Sequence, residues 1–269
     1  IEGFYHDGSL LFDEDGRNYI VYGNDEIWIT ELNEDLTAPK KDGLHRLLVS
    51  DHKNPELGYE GSHIQKINGY YYIFLIHSLR DRWMRTEACF YSDSLEGEFT
   101  GGDVLCDDRG YCGQGVAQGG IVDTPDGKWY AMLFQDSGAV GRIPILLPVT
   151  WKDHFPFFGQ NGHVPEEIEV HSTRPGYIYQ PLVGSDDFCN GLLPRWQFNH
   201  DPDPRYYHLD ALQGTYTITT REVCTELTQA VNTLTQRMSY PSCAAEVTVD
   251  ASALKEGDVA GLCALQLSL

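Results

Sequence analysis

The 269-residue chain is 41% hydrophobic, enough to bury one large all-β domain or two smaller ones. No run of about 18 apolar residues offers a membrane-spanning helix, and the first residues lack the basic-then-apolar order of a signal peptide. Forty acidic residues against 19 basic ones give a formal charge of −21, which repels nucleic-acid phosphates and anionic membranes and leaves neutral or cationic partners.

In chain order, the first pattern is Leu10 to Gly23 (LLFDEDGRNYIVYG), in which a short apolar strand meets an Asp-Gly turn and a strand rich in Tyr, Ile and Val. The same hairpin returns at His63 to His77 (HIQKINGYYYIFLIH) and at Ile121 to Gln135 (IVDTPDGKWYAMLFQ). Each is followed by a further strand signal: Glu26 to Leu32, Ala88 to Ser92 and Arg142 to Trp151. From Gly16 to Gly69 is 53 positions and from Gly69 to Gly127 is 58, a repeat somewhat above the roughly 40 to 50 residues of compact propeller blades. Gly, Pro and β-branched residues interrupt every helical period, so the reading is all-β with three antiparallel blades.

Nine residues before each turn glycine stand Asp7, Glu60 and Gln118, each followed by small residues (Gly8-Ser9, Gly61-Ser62, Gly119-Gly120). The innermost strands of a propeller surround one axis, so equivalent positions at their starts can converge on a shared pocket. Such residues also simply start strands, because Asp-Gly and Glu-Gly favour tight chain reversal. Two carboxyl groups across a sugar-sized pocket are the equipment of a glycosidase, one protonating the leaving oxygen and another acting on water or on the sugar itself. Glu60 is the better proton donor, since its longer side chain reaches further. Most aromatics in the hairpin strands read as core; Trp83, in the polar loop between Ser78 and Thr86, is the one that could stack on a sugar.

At these residues the chain resembles glycoside hydrolase family 43, in particular its β-xylosidase and α-L-arabinofuranosidase members with a C-terminal β-sandwich. The family's tuning aspartate lies in a His-Asp-x-Ser-Leu segment, which His6-Asp7-Gly8-Ser9-Leu10 matches; the general acid opens a Glu-Gly/Ala-x-His segment, matched by Glu60-Gly61-Ser62-His63. The resemblance implies a five-bladed β-propeller, about three blades of it present over residues 1–180, then the start of a concanavalin-like sandwich over 186–269 with strands at Gly214 to Thr220 and Ala244 to Asp250. It implies an inverting enzyme in which Glu60 is the general acid and Asp7 modulates its pKa and orients it. Arg142, after Gly141, corresponds to a substrate-contacting arginine, although a surface ion pair would suit it equally. Gln118, also assigned to substrate binding, stands where many members have a histidine close to a bound metal ion. No cofactor is required on this reading and no metal ligand is assigned; calcium, if bound, would be structural.

The family's general base belongs to an Asp-Pro segment that has no counterpart before Asp7, and the first residue is Ile1. The chain is therefore expected to begin at the third blade and, alone, to turn over little or nothing. The expected partners are xylan- or arabinoxylan-derived plant cell-wall saccharides, with no nucleic acid and no membrane. A non-catalytic carbohydrate-binding propeller is the competing reading, and a structural repeat propeller a weaker third, since its aligned positions need no acids. The seven cysteines are an odd number without Cys-x-x-Cys or metal-ligand spacing. They favour a reducing compartment, hence a cytoplasmic rather than a secreted protein; a bacterial origin is also expected.

Overall fold

The Asn68-Gly69 turn sets the pattern of the fold. Both residues adopt positive φ, 51° and 85°, as a two-residue hairpin turn requires if its twist is to match that of the strands it joins. The computed structural model describes residues 1–138, 141–239 and 242–265, and it divides into two units, Ile1–His171 and Ser172–Leu269. Among the described residues there is no α-helix, and none long and apolar enough to cross a membrane.

The first unit holds three four-stranded antiparallel sheets, each a simple meander. The first blade is β1 (Ser9–Phe12), β2 (Asn18–Asn24), β3 (Glu26–Leu32) and β4 (His45–Ser50). The second is β5 (Glu60–Ile67), β6 (Tyr70–Ser78), β7 (Arg85–Ser92) and β8 (Thr100–Leu105), and the third is β9 (Ala117–Asp123), β10 (Trp129–Asp136), β11 (Arg142–Lys152) and β12 (Phe155–Phe158). The fourth strand of each blade has no clear sequence signal: β8 begins Thr-Gly-Gly, and β12 is four residues long.

The second blade is packed on both faces, so β6 is buried from Tyr71 to Ser78 without a polar alternation. Its side chains divide by the two-residue period of a strand. Tyr71, Ile73 and Leu75 meet Leu11, Tyr19, Val21, Ile27 and Ile29 of the first blade, whereas Tyr72 and Phe74 meet Ile121, Ala131, Leu133 and Leu147 of the third. The far faces of the outer blades expose Leu10 and Phe12 on one side and Val122, Met132 and Phe157 on the other.

In the second unit, β13 (Gln197–Phe198) pairs with β16 (Leu234–Thr235), and β14 (Tyr207–Asp210) with β15 (Thr215–Ile218). The strand expected over 214–220 forms at its centre only. The one expected over 244–250 does not form: these residues are exposed and pair with no other strand among the described residues, which leaves their backbone groups to water.

Asp13 fastens the first blade to the second. It is buried, accepts Lys66 Nζ at 2.6 Å and Tyr71 Oη at 2.5 Å, and so anchors the β1–β2 turn on β5 and β6. Burial pushes its carboxyl up, but the bonds from Lys66 and Tyr71 outweigh this and hold it below the ordinary 3.8. The stability from this depression is fully present above pH 3.8 and is lost as pH falls through the lower folded value. Asp13→Asn is therefore expected to be less stable than the parent at neutral pH and to lose less stability on acidification below 3.8, read from urea unfolding over a pH series.

Candidate active site

The inner strand of every blade is kinked at its start. In the second blade Glu60 pairs with Ile76 and His63 with Phe74, so Gly61 and Ser62 both oppose Leu75. In the third, Ala117 pairs with Phe134 and Gly120 with Met132, so Gln118 and Gly119 both oppose Leu133. In the first, Gly23 N–H donates to the His6 carbonyl and Ser9 pairs with Val21, leaving Asp7 and Gly8 opposite Tyr22. The leading bulge residue is left-handed in all three, with φ 46° at Asp7, 67° at Gly61 and 65° at Gln118. An extra residue of this kind re-aims the side chains beside it.

This register corrects the equivalence read by counting from the turn glycines. Asp7 and Gln118 correspond to Gly61, and Glu60 corresponds to His6 and Ala117. The cause is a difference in turn and strand length together: in the second blade the turn glycine lies two residues nearer the strand end, and the segment from bulge to turn is one residue longer. Gly16 and Gly127 lie fourth in five-residue turns closed by the same pair of backbone bonds (Asp13 with Arg17 and Gly16; Thr124 with Lys128 and Gly127), whereas Gly69 lies second in a two-residue turn.

The shift by one places Glu60 beside Asp7 and not level with it. His6 Nε2 lies 3.3 Å from Glu60 Oε2 and 3.4 Å from Asp7 Oδ2, so the imidazole stands between the two carboxyls. Asn24, the last residue of β2, donates its Nδ2–H to the same Glu60 Oε2 at 3.0 Å. Glu60 retains 21% side-chain exposure, partly withdrawn from water but open to a ligand. His6, Asp7 and Glu60 are the one group among the described residues whose potential metal-ligand atoms converge, within 4.8 Å of one another.

Gln118 lies against Gly61: a Cβ at position 61 would stand 2.7 Å from its Cγ and 2.8 Å from its Nε2. The Gln118 backbone N–H donates to Glu87 Oε2 at 2.6 Å. Glu87 is fully buried, and burial pushes its carboxyl well above the usual carboxylate range against the opposing effects of that N–H and of Arg85. Buried Arg85 binds Asp136 Oδ2 at 2.5 Å, and Arg142 Nε lies 3.3 Å from Asp136 Oδ1, both guanidinium groups standing over the Phe134 ring at 4.8 and 4.5 Å. Arg142 thus has its surface ion pair and remains 63% exposed, with its charge free to meet a ligand. Trp83 is exposed in the β6–β7 loop, its carbonyl and ring resting against Gly113.

The structure therefore brings Asp7, Glu60 and, across Gly61, Gln118 together, and it ties Arg142 to Asp136 on the third blade. His6, Asn24, Arg85 and Glu87 had no assigned role in the sequence reading. His6 could have been found, since it adjoins Asp7; Asn24 lies 36 positions from Glu60, and nothing local marks it.

Three four-stranded meanders, two of them with a carboxyl group at the mouth of the inner strand, are blades of the β-propeller type. Residues 1–156 match the model of glycosyl hydrolases family 43, and the chain belongs to that family. Residues 185–268 match the β-xylosidase C-terminal concanavalin A-like domain. The chain is similar to a bifunctional GH43-CE protein of Bacteroides eggerthii, at 41% identity and a TM-score of 0.76, over 90% of this chain and 31% of that one. It is also similar to a β-xylosidase of Formosa agariphila, at 28% identity over 59% of this chain and 30% of that protein. A xylosidase/arabinosidase of Butyrivibrio fibrisolvens is 26% identical over 67% of this chain and 38% of its own length. The chain spans between 30% and 51% of the length of these and other curated relatives it matches.

Gly61 is the residue on which this packing turns. Gly61→Ala is expected to destabilise the protein by about 1–2 kcal/mol from the left-handed backbone alone, with a further loss from the collision with Gln118. Denaturant unfolding checks this, and in a Gly61→Ala/Gln118→Ala double variant the steric part should be recovered while the backbone part remains.

Proposed function

We propose that the intact protein removes xylosyl or arabinofuranosyl units from xylan- or arabinoxylan-derived saccharides with inversion, and that Glu60 is its general acid. The observation that carries this reading is the Glu60 carboxyl itself, half-buried at the mouth of the second blade's inner strand and held by Asn24 and His6 with Asp7 alongside. The names of the relatives support the substrate class: one is a β-xylosidase, another a xylosidase/arabinosidase.

The spacing of the two carboxyls supports different roles for them. An inverting pair stands about 6.5–9.5 Å apart so that a water fits between them and the sugar. Asp7 and Glu60 have oxygens within 4.8 Å of each other, with an imidazole nitrogen in the space. On an inverting route that spacing is too short for the attacking water, which supports the modulating and orienting role that the family resemblance implies for Asp7, with a separate carboxylate activating the water. Arg142 and the Gln118 amide serve as sugar-binding groups, the first by charge-assisted hydrogen bonds to hydroxyls and the second as a neutral donor and acceptor. A neutral saccharide also suits an acidic protein, because it brings no charge to be repelled.

The test is release of nitrophenol from aryl xyloside and aryl arabinofuranoside by the intact gene product and its Glu60→Ala variant. General-acid loss is expected to cost about 10²- to 10⁴-fold with leaving groups that need a proton and far less with a dinitrophenyl group that does not. Equal activity of parent and variant on every substrate would contradict the assignment. Binding to xylan or arabinan without hydrolysis would identify a lectin instead.

A further inference from the structure

We infer that Asn24 is a positioning residue that determines which oxygen of Glu60 carries the acid proton, an inference that rests on Glu60 being the general acid. Oε2 accepts the Asn24 Nδ2–H at 3.0 Å and lies 3.3 Å from His6 Nε2, while no hydrogen bond reaches Oε1 among the described residues. An amide nitrogen can only donate, so the oxygen facing it is kept as an acceptor and the carboxylic proton belongs on Oε1. Oε1 is then the atom that faces the glycosidic oxygen.

The backbone around Asn24 is built to hold it there. Asp25 follows in a left-handed conformation, φ 62°, and its N–H donates to the carbonyl of Tyr59 at 2.9 Å, directly before Glu60. The Asp25 carbonyl in turn accepts Asp51 N–H at 2.9 Å. Gly58 passes so close that a Cβ there would stand 2.9 Å from the Asp25 Cα and would overlap its side chain. The residues next to Asn24 and next to Glu60 are thus joined by the same bridge between the first and second blades, and the side-chain bond spans two points already fixed by main chain.

The bond also changes strength in the useful direction. As Oε1–H passes to the glycosidic oxygen, the bond from that oxygen to the anomeric carbon breaks, its electron pair stays with the leaving oxygen, and the attacking water bonds to the anomeric carbon as it gives a proton to the separate carboxylate. Glu60 becomes a carboxylate, and a neutral amide bond to Oε2 becomes a charge-assisted one. Asn24 therefore binds the transition state more tightly than the ground state, which is the condition for raising the rate of the chemical step.

The experiment compares the intact gene product with Asn24→Ala and with Asn24→Asp, which keeps the side-chain shape but has no N–H to give. Activity is measured on aryl xylosides and arabinofuranosides running from phenyl to dinitrophenyl, with Glu60→Ala in parallel and thermal unfolding as the check on folding. Both Asn24 variants are expected to lose about tenfold or more in kcat on phenyl glycosides, the worth of one hydrogen bond to a developing charge. They are expected to keep near-parental kcat on dinitrophenyl glycosides and an unchanged KM. A loss equal across all leaving groups, or no loss, while Glu60→Ala shows the acid pattern, overturns the role of Asn24 and leaves Glu60 as the acid. A parent without activity, or a Glu60→Ala variant without that pattern, overturns the acid assignment and this inference with it.

Discussion

A left-handed kink at the start of each inner strand is the constraint from which the site follows. A regular strand would alternate its side chains between the two packed faces, and a carboxylate beside the core would have to be buried or turned outward. Placing two residues opposite one frees the strand mouth from that alternation. It leaves Asp7 and Gln118 at left-handed positions that most side chains avoid, and it gives the third such position to glycine. That glycine is what lets Gln118 lie directly against the residue following Glu60.

Around this kink the two inter-blade contacts serve different ends. At one end of the strands, the buried Asp13 with Lys66 and Tyr71 locks the first blade onto the second far from the candidate acid. At the other end, the Asp25–Tyr59 backbone bridge brings Asn24 and Glu60 together. Packing energy comes from the apolar layers on either face of β6, whose area is removed from water on both sides. The polar contacts at the strand mouths then choose orientation more than they add stability. Glu87 and Arg85 show the cost of this arrangement: one carboxyl is pushed toward its neutral form by burial to support the Gln118 kink, and one guanidinium is buried to pair with Asp136.

Much of this was legible in the chain alone. The three hairpins, their third strands and the aromatic core follow from turn chemistry and two-residue alternation, and the segments around Asp7 and Glu60 carry the family resemblance. What was not legible depended on geometry between distant residues. Counting from turn glycines misplaced Glu60 by one position because neither the shorter turn nor the one-residue-longer strand of the second blade shows when only the Asn-Gly or Asp-Gly is counted. Asn24 carries no local mark, since its value comes from a partner brought near by blade packing. Residues 244–250 were expected to form a strand, yet a strand exists only where another edge satisfies its backbone.

On the proposed function, Glu60 faces the glycosidic oxygen from the mouth of the second blade. A crystal structure of the intact protein carrying Glu60→Gln, with a xylo- or arabino-oligosaccharide bound, tests it most directly. The glycosidic oxygen is expected about 2.6–3.2 Å from the residue 60 carboxamide, on the atom not engaged by Asn24, with Arg142 or Gln118 on the sugar hydroxyls. A saccharide bound away from residue 60, or with its glycosidic oxygen beyond hydrogen-bond reach of it, would contradict it.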